Sequence, residues 1–245
     1  MINFPRRRRI YLMRHAQAAY VSADGQPAPD PRLVPLTLEG RTQATQQGQT
    51  LAKVHFDRVI CSGLPRTRET VALVLAEQAH DAPPVEERPA LEEIHGLSAA
   101  LDVPHDPTRR QRLLEDIANP WARGEEPDAR FLGGDAFEDF AARVTQAWDA
   151  IMEDEDWDTL LLVLHGAVNR MIFNHTLRLP WSGEYCIEQD NGCINIIDVD
   201  SSDPRRYLIR AVNLTMYNPT KAGIDRTNME STAERFAQMW GEQAD

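Results

Sequence analysis

Three short apolar runs, each closed by a polar turn and then a helix-like segment, constrain this chain most. They are Ile10-Tyr11-Leu12-Met13, Val59-Ile60-Cys61 and Leu160-Leu161-Leu162-Val163-Leu164. Uninterrupted apolar runs of this length suit strands buried on both faces, the setting of a parallel sheet. The βα rhythm predicts an α/β fold, a three-layer α/β/α sandwich with a mostly parallel central sheet. Thr37 is placed to cap a helix from Leu38 to about Val54, with Glu39 and Gly40 in its first turn. Further helices are expected from about Pro65 to Ala79 and from Asp135 to Met152. The second carries Phe137, Phe140, Val144, Trp148 and Ile151 on one face. Ile194 to Val199 and Tyr207 to Val212 read as a closing hairpin, and Ser231 to Trp240 as a last helix. Residues 1–245 are expected to form one domain, with an insertion at about 95–134 and a C-terminal tail from about 216. The insertion mixes Pro104, Pro107, Pro120 and Pro127 with Arg109-Arg110-Gln111-Arg112, and is expected to fold over the strand ends as a lid.

Charge and cysteine usage narrow the class. A formal net charge of −12 argues against a general nucleic-acid binder, which needs a clustered basic face. Arg6-Arg7-Arg8-Arg9 is the local exception and reads as a solvated edge before the first strand. The apolar stretch after it ends at Met13, too short for a signal segment, and nothing approaches the ~18 apolar residues of a membrane span. Cys61, Cys186 and Cys193 are odd in number and lack CxxC spacing, so they read as reduced thiols in a cytoplasmic protein. Oligomeric state is not legible at this level.

The chemistry sits where the strands end. Arg14-His15 follows the first run directly, His165-Gly166 follows the third, and Ser62-Gly63-Leu64-Pro65-Arg66 follows the second. Open α/β sheets bind ligands at the carboxyl ends of their strands. Two histidines and two arginines at three such ends make a plausible phosphate cradle, because a guanidinium offers paired donors that match phosphate oxygens. Gly166 could leave backbone N–H groups free to approach an anion at a helix start.

Taken in order, these residues resemble the histidine phosphatase superfamily, the group that includes cofactor-dependent phosphoglycerate mutases. The resemblance runs through Met13-Arg14-His15-Ala16, Leu36-Thr37-Leu38-Glu39-Gly40-Arg41-Thr42-Gln43-Ala44 and Ser62-Gly63-Leu64-Pro65-Arg66-Thr67-Arg68-Glu69-Thr70. It continues through Leu91-Glu92-Glu93-Ile94, Gly133-Gly134-Asp135 ahead of a helix containing Arg143, Leu162-Val163-Leu164-His165-Gly166 and Asn191-Gly192. It implies that His15 attacks the substrate phosphorus, that Arg14, Arg66 and His165 hold the phosphoryl oxygens, and that Glu93 donates the proton. No metal or other cofactor is implied, and the partner is a small phosphorylated substrate. The neighbouring Glu92 competes for the acid role, with motif position favouring Glu93.

Two positions depart from the pattern. Ala16 stands where the family usually has glycine, and Val21 where many members have a phosphate-binding asparagine, a contact that is either missing or supplied elsewhere, by Ser22 or Gln17. Residues typical of mutases around a substrate carboxylate are not evident in the 95–134 segment, so phosphatase is favoured over mutase. A scaffold that binds phosphate without turnover is the non-enzymatic alternative. A metal enzyme would need a facial triad of two histidines and a carboxylate, but no HExxH spacing occurs and two arginines would repel the cation. A thiol phosphatase on Cys61 fails on register, since only four residues separate it from Arg66.

Overall fold

The computed structural model of the protein describes residues 6–21, 28–96, 106–122, 124, 126–180 and 187–242. Its strands are β1 (Arg7–Arg14), β2 (Arg58–Cys61), β3 (Val85–Glu87), β4 (Thr159–Leu164), β5 (Ile194–Asp200) and β6 (Asp203–Leu214). Its helices are α1 (Leu38–Leu51), α2 (Pro65–Ala76), α3 (Pro107–Ala118), α4 (Phe137–Glu153), α5 (Gly166–Leu177) and α6 (Asn228–Glu242). The strands form one mixed sheet in the order β3-β2-β4-β1-β5-β6. β3, β2, β4 and β1 run parallel, and β5 and β6 close the sheet antiparallel as the expected hairpin.

Alternation along the buried strands assigns the layers. Tyr11, Met13, Leu161 and Val163 face Leu51 of α1 and Val71 and Val74 of α2. Ile10, Leu12, Leu160, Leu162 and Leu164 face α4 and α5, whose Phe140, Val144, Trp148, Val168 and Phe173 fill the other side. This is the three-layer sandwich expected from the runs. Thr37 caps α1 as read, its Oγ1 accepting from Gly40 N at 2.9 Å. The edge strand β3 was not anticipated, because Val85-Glu86-Glu87 is too short and too charged to register as an apolar run.

The arginine run departs from its expected role. β1 starts inside it, and only Arg6 and Arg7 are exposed. Arg8 is 4% exposed; it donates to Met152 O at 2.8 Å and to Asp154 O, and its guanidinium lies 4.2 Å from the centroid of the Trp157 ring. Arg9 pairs with Asp198 at 2.7 Å, and Arg210 reaches the same carboxylate at 2.7 Å. A strand must lie beside its neighbours along its whole length, so Arg8 is carried under the carbonyls that end α4 while Arg9 turns to Asp198 of β5.

The insertion contains a helix that the proline count hid. α3 is capped by Asp106, which accepts from Thr108 N at 2.8 Å, and Pro107 occupies the first helical turn where its missing N–H costs nothing. Leu113, Leu114 and Ile117 of α3 pack on Phe236 and Trp240 of α6, so the described part of the insertion shares a small core with the C-terminal helix. The segment 97–105, part of the expected lid, lies outside the described residues. Among the described residues, no helix is long and apolar enough to cross a membrane. Cys61 and Cys193 are buried free thiols, and Cys186 lies outside the described residues.

A solvated arginine would change stability by no more than about 0.5 kcal/mol on removal. Arg8→Ala instead strips two carbonyls of their buried donor and uncovers Trp157. It is expected to cost about 1–3 kcal/mol in urea unfolding, whereas Arg7→Ala stays near zero.

Candidate active site

Three adjacent strands place the side chains. β2, β4 and β1 are neighbours, and β1 pairs with β4 rung for rung from Arg9–Thr159 to Arg14–Leu164. His15 N donates to Leu164 O at 2.9 Å, so His15 and His165 fall on the next rung of the same ladder. Parallel strands lie ~4.8 Å apart. The two imidazoles accordingly have centroids 5.2 Å apart, at 65° to one another. Both are essentially without solvent contact, at 1% and 0% exposure.

His15 is held in one tautomer. Its Nδ1 lies 2.8 Å from Ala16 O, and a carbonyl only accepts, so Nδ1 carries the hydrogen and Nε2 keeps an unprotonated lone pair. Arg66 Nε donates to that Nε2 at 3.3 Å. Arg66 is itself fixed by Nη1 bonds to Pro31 O at 3.1 Å and Arg32 O at 3.2 Å. Gly192 N donates to His15 O at 3.0 Å, and Thr70 Oγ1 accepts from Ala16 N at 3.1 Å. Ala16 does not adopt a positive φ; it is fully buried against Leu36 and Ala44, so the turn has no need of glycine.

Arg14 donates through Nη1 to Gln189 O at 2.5 Å, while its buried Nε has no partner among the described residues. Gly166 opens α5 beside this guanidinium; a Cβ there would lie 3.4 Å from Arg14 Nε. His165 Nε2 lies 2.8 Å from Ser62 Oγ, and its buried Nδ1 likewise has no partner among the described residues. The unmatched Arg14 Nε–H, with the Arg66 guanidinium in the same cluster, fits an anion with several acceptor oxygens, and His165 Nδ1 joins them as a donor in the tautomer whose Nε2 accepts from Ser62. An unpaired buried polar group costs about 1–3 kcal/mol.

The two glutamates separate cleanly. Glu93 Oε2 accepts from Ala167 N at 3.2 Å, two residues past His165, and Oε1 accepts from Ile94 N at 3.1 Å. Glu92 instead pairs with Arg32 at 2.8 Å and lies 3.6 Å from His95 Nε2. The structure therefore gathers Arg14, His15, Arg66, Glu93, His165 and Gly166 around one point and turns Glu92 aside. Val21 is part-buried, and Ser22 lies outside the described residues. Gln17 Oε1 is taken by the Thr37 hydroxyl at 2.7 Å.

Sequence reasoning did not single out Ser62, Gln189 or Tyr20 as site residues. Ser62 was legible in principle, because it sits at the same strand-end level as Arg14. Gln189 contributes a backbone carbonyl, for which no residue type signals. Its side chain is buried in an amide cluster with Asn169 and Asn195, bonded at 3.0 and 2.8 Å. Tyr20 has its ring 5.6 Å from the Arg66 guanidinium and 6.5 Å from His15 and is itself exposed, so it stands between these buried groups and solvent.

The histidine phosphatase superfamily (branch 1) model matches residues 10–211. The chain belongs to this family. It is 28% identical over 197 residues to an adenosylcobalamin/alpha-ribazole phosphatase of Escherichia coli, covering 78% of this chain and 90% of that protein. A broad-specificity phosphatase of Saccharomyces cerevisiae is 28% identical over 216 residues, covering 85% of this chain and 86% of that one. Among solved structures, the alpha-ribazole phosphatase from Shigella flexneri superposes with a TM-score of 0.64 at 26% identity, over 84% of this chain and 96% of that one.

Burial holds both histidines neutral to well below their ordinary value. The Arg66 and Arg14 charges push His15 the same way, and Arg66, the facing His15 and Arg14 do so for His165. The native state therefore declines protons that the unfolded chain takes up below about pH 6.5. This stability is fully present above that pH and is lost as pH falls through it, by up to ~1.4 kcal/mol per pH unit per histidine. Urea titrations from about pH 7.5 down to pH 5.5, without added phosphate, should show this decline. In His15→Gln the slope should fall by about one proton.

Proposed function

We propose that this family member is a phosphatase that hydrolyses a phosphate monoester through a phosphohistidine on His15. The observation that carries the reading is the His15 ring: Nδ1–H is spent on Ala16 O, leaving Nε2 as a neutral nucleophile beside Arg66. The Nε2 lone pair forms the N–P bond as the ester P–O bond breaks. Glu93 gives its proton to the departing oxygen, and Arg14, Arg66 and His165 bind the equatorial oxygens. Phosphoryl transfer asks mainly for such positioning and positive charge. Water then attacks phosphorus from the vacated side, Glu93 accepts its proton, and inorganic phosphate leaves with His15 regenerated. All the cationic charge comes from side chains, so no metal ion is needed.

The substrate is proposed to be a small phosphorylated metabolite. Two curated relatives point this way by their own names, an adenosylcobalamin/alpha-ribazole phosphatase and a broad-specificity phosphatase. Tyr20, exposed and with its ring 6.5 Å from His15, would offer an apolar ring to the leaving group.

Hydrolysis of p-nitrophenyl phosphate should proceed undiminished in excess EDTA. His15→Ala should lower kcat by about three orders of magnitude or more. Acid-labile, alkali-stable phosphoenzyme should be trapped in the wild type only. Phosphoenzyme in His15→Ala, or activity lost to EDTA and restored by a metal, would overturn the mechanism.

A further inference from the structure

Glu93 lies in a stretch without helix or strand, yet the proposed reaction needs its carboxyl at a fixed point. What fixes it comes from the head of α4. Arg143 Nη1 donates to Ala90 O at 2.8 Å and to Glu92 O at 3.0 Å. Glu92 O belongs to the peptide that enters Glu93. On the far side, Asp135 makes a two-way bond with His95: its Oδ2 accepts from His95 N at 3.0 Å, and its own N donates to His95 O at 2.8 Å. Gly134 allows that approach, because a Cβ there would lie 2.1 Å from His95 O, a backbone atom that cannot swing away. Leu91 and Ile94, on either side of the glutamates, are buried at 0% and 4% exposure.

We infer that Arg143 and Asp135 are positioning residues for Glu93, gripping the backbone just before and just after it so that its carboxyl meets the α5 start beside His165. The inference rests on Glu93 being the proton donor. Neither residue need touch the substrate. Arg143 is suited to the task because one nitrogen bridges two carbonyls while its guanidinium lies 5.2 Å from the Phe140 ring centroid, which limits its freedom. A loop carboxyl misplaced by an ångström loses much of its worth as a general acid, a contribution of about 10²–10⁴-fold in general.

The test is the dependence of kcat/KM on the leaving group, since this constant reports the steps up to phosphoenzyme formation. Dinitrophenyl phosphate departs without help, whereas phenyl phosphate needs a proton. In Glu93→Gln, phenyl phosphate should lose about 100-fold or more and dinitrophenyl phosphate only a few-fold. Arg143→Met, which keeps the apolar stem over Phe140, should reproduce this split at about 10–100-fold, and Arg143→Lys should restore most of the loss. In the Glu93→Gln background, Arg143→Met should add less than about threefold, because both changes remove the same proton transfer. Equal losses on both esters, or fully multiplied losses in the double variant, would reduce Arg143 to a structural role. If Arg143→Met does not fold, Asp135→Ala is held to the same criteria. Absence of the split in Glu93→Gln itself would instead remove the proton-donor reading on which the inference stands.

Discussion

Parallel pairing of β1 with β4 governs the site more than any single side chain. Once Arg14 pairs with Leu164, the residues after them leave the sheet side by side, and both are histidines. β2 lies on the other side of β4, which brings Ser62 to His165 and starts α2 so that Arg66 reaches His15. A slip of β1 by one residue against β4 would turn Leu12 from the α4–α5 side to the α1–α2 side while Leu162 stayed in place. Both faces are apolar, but their side chains interlock with different helices. The sheet that the core requires is thus also the frame that sets the imidazoles 5.2 Å apart.

Electrostatics at the strand ends run against the fold's own stability. Two histidines are buried neutral against two arginines, and Arg14 Nε and His165 Nδ1 are buried without partners among the described residues. Such an arrangement costs stability, and an anion that supplies acceptors and negative charge offsets that cost. The −12 net charge of the chain is no obstacle, because the site itself presents the Arg14 and Arg66 guanidinium groups and Glu92 is paired with Arg32.

The strongest periodic signals in the sequence survive as structure. The three apolar runs are the buried strands, Thr37 is the helix cap, and the aromatic stripe from Phe137 to Trp148 is the face of α4 that fills one layer. Weaker local signals gave way to tertiary context. The arginine run reads as solvated because four like charges in a row repel, yet Arg8 is drawn under the end of α4 by carbonyls that lie far from it along the chain. The proline-rich insertion conceals α3, since Pro107 sits in the one turn of a helix that tolerates it.

By itself the sequence determined which residues could do chemistry: Arg14, His15, Arg66 and His165 all follow, or nearly follow, runs that have to be buried, and burial of a strand fixes where its end emerges. It also determined the family, through the order of those motifs. Only the tertiary structure gives Glu92 and Glu93 different surroundings, because adjacent residues of one type carry the same local signal. Arg32 claims the first, and the start of α5 takes the second. The same holds for the grip of Arg143 and Asp135 on the Glu93 segment, which is made of backbone carbonyls and N–H groups that every residue possesses and no sequence pattern marks.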